Sequence, residues 1–143
     1  MRDNYERLLR DLQNMPLLAT NVDRPVLWEL AKHARHTKTY ADTEVILQED
    51  DSISDDSEMF FIVEGRVKFR IKGQFVGSAG AGDLFGEMGI IQNRRRAAVV
   101  TSDHEGTVLI TVSKKHFDQH LRSSKTLMHV LTQRMQRRVQ VAE

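Results

Sequence analysis

The 143-residue chain has no cysteine, only two prolines and one tryptophan, and almost no net charge, 21 Lys and Arg standing against 20 Asp and Glu. Without cysteine there is no disulfide, thiolate metal centre, iron–sulfur cluster or thiol nucleophile, a composition that fits a reducing compartment. A formal charge of +1 gives no whole-chain attraction to nucleic acid or to an anionic membrane, so recognition of charge must be local. No apolar run approaches the roughly 20 residues of a membrane span, and the N-terminal MRDNYERLLRD is too polar for a secretory signal, which makes the cytoplasm the expected location. What is present, 40% hydrophobic and 29% charged residues, suffices for one soluble globular domain.

Hydrophobic spacing predicts helices at both ends and strands between them. In residues 3–15, Tyr5, Leu8, Leu9 and Leu12 recur at helical spacing before the Met15-Pro16 break. A second helix is expected after Asp23, its N-cap, with Pro25 in the first turn and Val26, Leu27, Leu30 and Ala31 inward. From about His36 the segments TEVILQ, EMFFIV and RVKFRIK are rich in β-branched and aromatic residues, and Val67, Phe69 and Ile71 alternate with Lys68, Arg70 and Lys72. The acidic QEDDSISDDSE between the first two reads as an exposed connection, and Gly65 as a hairpin turn. A glycine-rich FVGSAGAGD leads into LFGEMGII, three arginines, and two further strands, AAVVTS and GTVLITV. Ser113 is the candidate cap of SKKHFDQHL, and a longer helix from about Ser124 aligns Leu127, Leu131, Met135, Val139 and Ala142 in one stripe. The fold class that follows is α+β, an antiparallel, jelly-roll-like β-roll of about eight short strands with helical flanks. Its expected parts are N-terminal helices over 1–35, the roll over 36–112, and C-terminal helices over 113–143.

Chemistry concentrates in GAGDLFGEMGIIQNRRRAAVV, residues 80–100. Gly80, Gly82 and Gly86 let a ligand approach the backbone closely, and a short helix expected after Asp83 would offer unbonded amides to an anion. Glu87 lies in that turn and Arg96 is expected to begin the next strand. A carboxylate accepts from a sugar hydroxyl, while a guanidinium fork matches two phosphate oxygens, so the implied ligand is a sugar phosphate.

FGEMGIIQNRRRAAVV resembles the phosphate-binding cassette of the cyclic nucleotide-binding domain family, F-G-E, a small residue, apolar residues, then P-R-A/S-A-x-V. MPLL, TEVILQED, FFIVEGRVKF, GAGDLFGE and VSKKHFDQHLRSS fall in family order, so the resemblance covers nearly the whole chain, with the cassette over 82–98. LMHVLTQRMQRRVQV is similar to the long helix of bacterial regulators of the catabolite activator protein type, here without a DNA-binding domain. The resemblance implies a non-catalytic sensor in which Glu87 accepts the ribose 2′-hydroxyl and Arg96 pairs with the cyclic phosphate. It also implies that Gly86, Met88, Ala97 and Ala98 complete the ligand shell, while the last helix acts as a lid with Arg138, and further along Ala142 and Glu143, over the base. Ala97 lacks the hydroxyl that cGMP-preferring members often carry after the arginine, which leans the choice to cAMP over cGMP.

Three family positions differ. The E-G-D turn is Glu49-Asp50-Asp51, which suggests another route for the acidic loop; the proline of G-P-G-D is Ala81; and the proline before the key arginine is Arg95. Arg94 and Arg95 add charge that could admit a cyclic dinucleotide, and a degenerate module that serves dimerisation or docking without a nucleotide is the other alternative.

Other features yield little. GAGDLFG does not fit the G-x-G-x-x-G dinucleotide fingerprint and lies in no βαβ unit. His116 and His120 stand four apart on a helix but lack the Glu of H-E-x-x-H, and His33 and His36 read as solvated, so no metal is expected. The acidic loop does not follow the calcium-loop register. No activated nucleophile or carboxylate pair converges on the cassette, so no catalytic residue is expected. Arg134, Arg137 and Arg138 read as a solvated face, with no second helix to direct DNA binding. The stripe on the last helix could pack on its own roll or form half of a homodimer seam.

Overall fold

The computed structural model describes residues 2–39 and 41–142, and the side chains of 4–39 and 41–137. Three helices open the chain: α1 (Arg2–Gln13), α2 (Pro16–Asn21) and α3 (Arg24–Ala31). The short α2 has no counterpart in the hydrophobic spacing, in which Met15-Pro16 marks only a break. Pro16 sits in the first turn, where a missing N–H costs nothing, so the same dipeptide that ends α1 also starts α2.

Among the described residues, eight strands follow in two antiparallel sheets, interrupted by the short helix α4 (Glu87–Gln92). They are β1 (Arg35–Lys38), β2 (Val45–Leu47), β3 (Glu58–Glu64), β4 (Arg66–Ile71), β5 (Gln74–Gly80), β6 (Leu84–Phe85), β7 (Val99–Ser102) and β8 (Val108–Ser113). One sheet runs β1-β8-β3-β6 and the other β2-β7-β4-β5. The chain closes with α5 (Lys114–His120) and α6 (Lys125–Ala142). The expected β-roll with helical flanks is the fold observed.

β3 organises the interior because both its faces are covered. Successive side chains on a strand point to opposite faces. Phe60 and Ile62 therefore enter the inter-sheet core with Val67, Phe85, Val100 and Leu109. Met59 and Phe61 pack on the other face against Leu12, Leu18, Leu30, Phe117, Leu127 and Leu131 of the helices. This double burial is why EMFFIVE reads as a nearly unbroken apolar run rather than an alternation.

At the β3–β4 turn a hydroxyl cluster replaces apolar packing. Thr107 is fully buried; its Oγ1 accepts from the Arg66 amide at 3.3 Å. Beside it, Thr39 Oγ1 donates to Ser102 Oγ at 3.1 Å, and Ser102 Oγ donates to the His104 carbonyl at 2.6 Å. Gly65 closes the turn at φ 93, against Thr107. A Cβ there would lie 2.4 Å from Thr107 Oγ1 and 2.8 Å from its Cα, in a backbone region that side chains rarely adopt. Gly65→Ala is expected to lower stability by about 2–4 kcal/mol, strain and overpacking together. Gly73→Ala, at φ 80 but with nothing within 4 Å, should cost only about 1 kcal/mol of backbone strain. Urea unfolding of the two variants checks the contrast.

Candidate functional site

β6 pairs with β3 through only Phe60↔Phe85 and Phe61↔Leu84, after which the chain leaves the sheet at Gly86. Gly86 takes φ 81, and a Cβ on it would lie 3.2 Å from Arg96 Nη1 and 3.3 Å from Leu47 Cδ1, so this position favours glycine for its conformation and is tightly packed besides. α4 starts at Glu87, later than expected, because Asp83 does not cap a helix; its Oδ1 accepts from the Leu84 amide at 2.9 Å. Asn93 in the left-handed region, φ 52, ends α4.

Arg96 does not begin β7, which starts at Val99. It lies in an extended segment bonded to the acidic loop: the Asp50 amide donates to the Arg96 carbonyl at 2.8 Å and the Arg96 amide to the Asp51 carbonyl at 2.9 Å. Asp50 itself sits at φ 70. Asp tolerates the left-handed region better than most residues, so the Glu49-Asp50-Asp51 turn adopts at Asp50 a conformation for which glycine is suited. Arg95, at the family's proline position, turns outward and donates from Nη1 to the Asp50 carbonyl at 2.9 Å.

The Arg96 side chain is 6% exposed. Its Nη1 donates to the Gly86 carbonyl at 2.7 Å and its Nη2 to the Glu58 carbonyl at 2.5 Å, fixing the fork between β3 and the start of α4. Burial pulls its pKa below the ordinary arginine value, while the charges of Asp51, Glu87 and Glu58 pull it back up. A guanidinium stays protonated under such opposition and has more donors than two carbonyls occupy, so an anion is a natural further partner.

Glu87, with no exposed surface, and Arg96 line one cavity of about 450 Å³. Leu47, Phe69, Ile71, Val76 and Val100 supply its apolar wall, Gly86 to Gly89 and Arg96 to Ala98 its polar floor, and Asp83, Arg134 and Arg137 its α6 side. The first amides of α4, which cannot bond within the helix, belong to the floor. A carboxylate, a guanidinium and amides beside an apolar wall suit a ligand with a hydroxyl, an anionic group and a flat apolar body; the volume is that of an ordinary small-molecule pocket.

Two contacts tie this floor to the C-terminal helices. Asp83 forms an ion pair with Arg134 of α6. Arg122, held by Asp118 of α5 at 2.7 Å and lying over the Phe117 ring, donates to the Ile90 and Ile91 carbonyls at the end of α4, at 3.3 and 3.5 Å.

Gly86, Glu87, Met88, Arg96, Ala97 and Ala98, the candidate ligand residues, all line this one cavity. Arg138 belongs to α6, but its side chain lies outside the described residues, as do those of Ala142 and Glu143. Arg134 and Arg137 do not form a merely solvated face: both line the cavity. Sequence reasoning missed them because Arg134 adjoins Met135 on the stripe and a helical wheel cannot show what lies across from its edge. The apolar wall was also missed, although the alternation of Phe69 and Ile71 already put them on one face. Arg94 and Arg95 are exposed and are not among the lining residues.

A family model described as cyclic nucleotide-binding domain matches residues 37–124. Among curated proteins, the Pycsar effector protein XpPycTIR of Xanthomonas perforans is 41% identical over 61 residues, which is 43% of this chain and 20% of that protein. Among solved structures, cAMP-bound PfPKA-R (141–441) is similar with a TM-score of 0.83 and 18% identity, over 98% of this chain and 46% of that one. The regulatory subunit of a cAMP-independent protein kinase A from Trypanosoma brucei gives 0.82 and 21%, over 94% and 47%. The chain therefore spans about half of these two structures and one fifth of the curated relative, and at these identities the structural likeness carries the fold alone.

Because Arg96 is the shared donor for two part-buried carbonyls, Arg96→Ala should lower the stability of the ligand-free protein by about 2–4 kcal/mol, the cost of stranding both acceptors. Arg96→Lys, which keeps one donor and the charge, should lose less. Urea titration of both variants without nucleotide measures this.

Proposed function

Since the chain belongs to the cyclic nucleotide-binding domain family, we propose that its cavity takes a cyclic mononucleotide, cAMP in preference to cGMP, and that the domain acts as a non-catalytic sensor. The observation that carries the reading is the pair of buried, oppositely charged side chains, Glu87 and Arg96, on the floor of one largely apolar cavity. In this reading Arg96, already oriented by two carbonyls, directs its remaining donors to the cyclic phosphate, joined by the amides around Gly86, Met88 and Ala97. Glu87 accepts the ribose 2′-hydroxyl, Ala98 lies beside it, and the base rests against Phe69, Ile71 and Val76. Ala97 offers no hydroxyl to a guanine edge, which supports the order cAMP over cGMP.

Occupancy is relayed by α6. Arg134 and Arg137 stand at the cavity and Asp83 links the floor to Arg134, so a ligand that contacts α6 favours one of its positions over others. Arg138 is a further candidate contact on that helix. The outward position of Arg94 and Arg95 speaks against a cyclic dinucleotide, since the charge that would select it is not at the cavity. The similarity to one fifth of an effector protein supports the view that a domain of this kind controls an output elsewhere in a longer protein.

Calorimetric titration with cAMP, cGMP, the pyrimidine cyclic monophosphates and a cyclic dinucleotide tests the reading. cAMP is expected to bind with micromolar or tighter affinity and cGMP more weakly. Glu87→Gln should weaken cAMP about tenfold to a hundredfold, the worth of a hydrogen bond to a charged acceptor, while the variant still unfolds cooperatively. A folded wild-type chain that gives no heat with any mononucleotide would sink the proposal.

A further inference from the structure

Away from the cavity, three histidines from two distant parts of the chain converge. His116 and His120 lie one turn apart on α5, so both face the same way. His33 follows the last turn of α3, which packs on α5. Its ring stacks on that of His116, with centroids 4.0 Å apart and planes 8° from parallel, and lies 5.6 Å from that of His120. One ring nitrogen from each of the three lies within 4.8 Å of the other two. Below the cluster the scaffold is firm, with Leu30, Phe117 and Leu121 fully buried.

Ordinary packing does not account for this arrangement. Buried ring nitrogens normally find a hydrogen bond, yet His116 Nδ1 and His120 Nε2 are buried with no partner among the described residues. Glu29, one turn before His33, is an exposed carboxylate paired with Lys32 at 2.9 Å.

We propose that His33, His116 and His120 form a binding site for a borderline divalent transition ion of the zinc class. Three neutral imidazoles are a zinc-type donor set, and a tetrahedral ion bound at about 2.0–2.1 Å needs its ligand nitrogens about 3.4 Å apart. Rotation of the exposed His33 ring closes the remaining gap, and water completes the shell. The pair His116/His120 is not a site without His33, which stands more than eighty residues away in the chain. A bound ion would cross-link α3 to α5, the helix whose Asp118 holds Arg122 against the end of α4.

The test is a titration of the whole chain, free of any polyhistidine tag and dialysed against chelator, with zinc chloride alone, followed by calorimetry and by the ring ¹H–¹⁵N spectrum. One equivalent is expected to bind with micromolar or tighter affinity and to shift the ring signals of these three histidines. His33→Ala, an exposed change that leaves the fold intact, should weaken binding at least tenfold, as should His116→Gln and His120→Gln, while His129→Ala should leave it unchanged. Absence of binding, or binding that His33→Ala does not weaken, would overturn the proposal. The nucleotide cavity plays no part in this outcome.

Discussion

A guanidinium withdrawn from water must find acceptors or destabilise whatever surrounds it. Arg96 finds them in the carbonyls of Glu58 and Gly86, one at the start of β3 and one at the last residue before α4, while its own backbone zips to Asp50 and Asp51. A single residue therefore holds together the central strand, the short helix and the acidic loop. The positions of Gly86, of the amides that follow it and of the Glu87 carboxylate all depend on that fork being where it is.

Preorganisation is the result. Fixing an arginine costs side-chain entropy, and here that cost is met during folding rather than when a ligand arrives. The apolar wall contributes the other half. Phe69 meets Phe85 edge to face at 6.1 Å, and Phe85 stacks on Phe60 at 4.9 Å, so the cavity wall is continuous with the inter-sheet core. The floor is similarly continuous with the helices through Arg122 and Asp118. No part of the site is an isolated loop.

Most of this was legible in the sequence, for identifiable reasons. β3, β4 and β8 declare themselves because a buried face must be apolar at every second residue. Glu87 and Arg96 declare themselves by chemistry and by their family string. What stayed hidden depended on contacts rather than on local pattern. β1 is Arg35–Lys38, a polar run whose strand state comes from pairing with β8, and β5 passes through glycines that look like a loop. Asp50 hid a left-handed turn under an unexpected residue type. Arg134 and Arg137 gained their place at the cavity only when α6 folded back, and His33 met His116 only when α3 packed on α5.

The Asp83–Arg134 pair has a further consequence. Both side chains keep roughly a third of their surface in water, 33% and 29%, so dissolved ions reach them and weaken their attraction, over a distance that shrinks to about 10 Å at 0.1 M salt. Arg96, by contrast, is sealed from that screening. The two charged contacts of the same floor therefore answer to different variables: the Arg96 fork, buried on its two carbonyls, is shielded from dissolved salt, and the pair that tethers α6 weakens as salt rises. The hold of α6 on the floor is thereby the part of this site most open to ionic strength, while the floor itself keeps its shape.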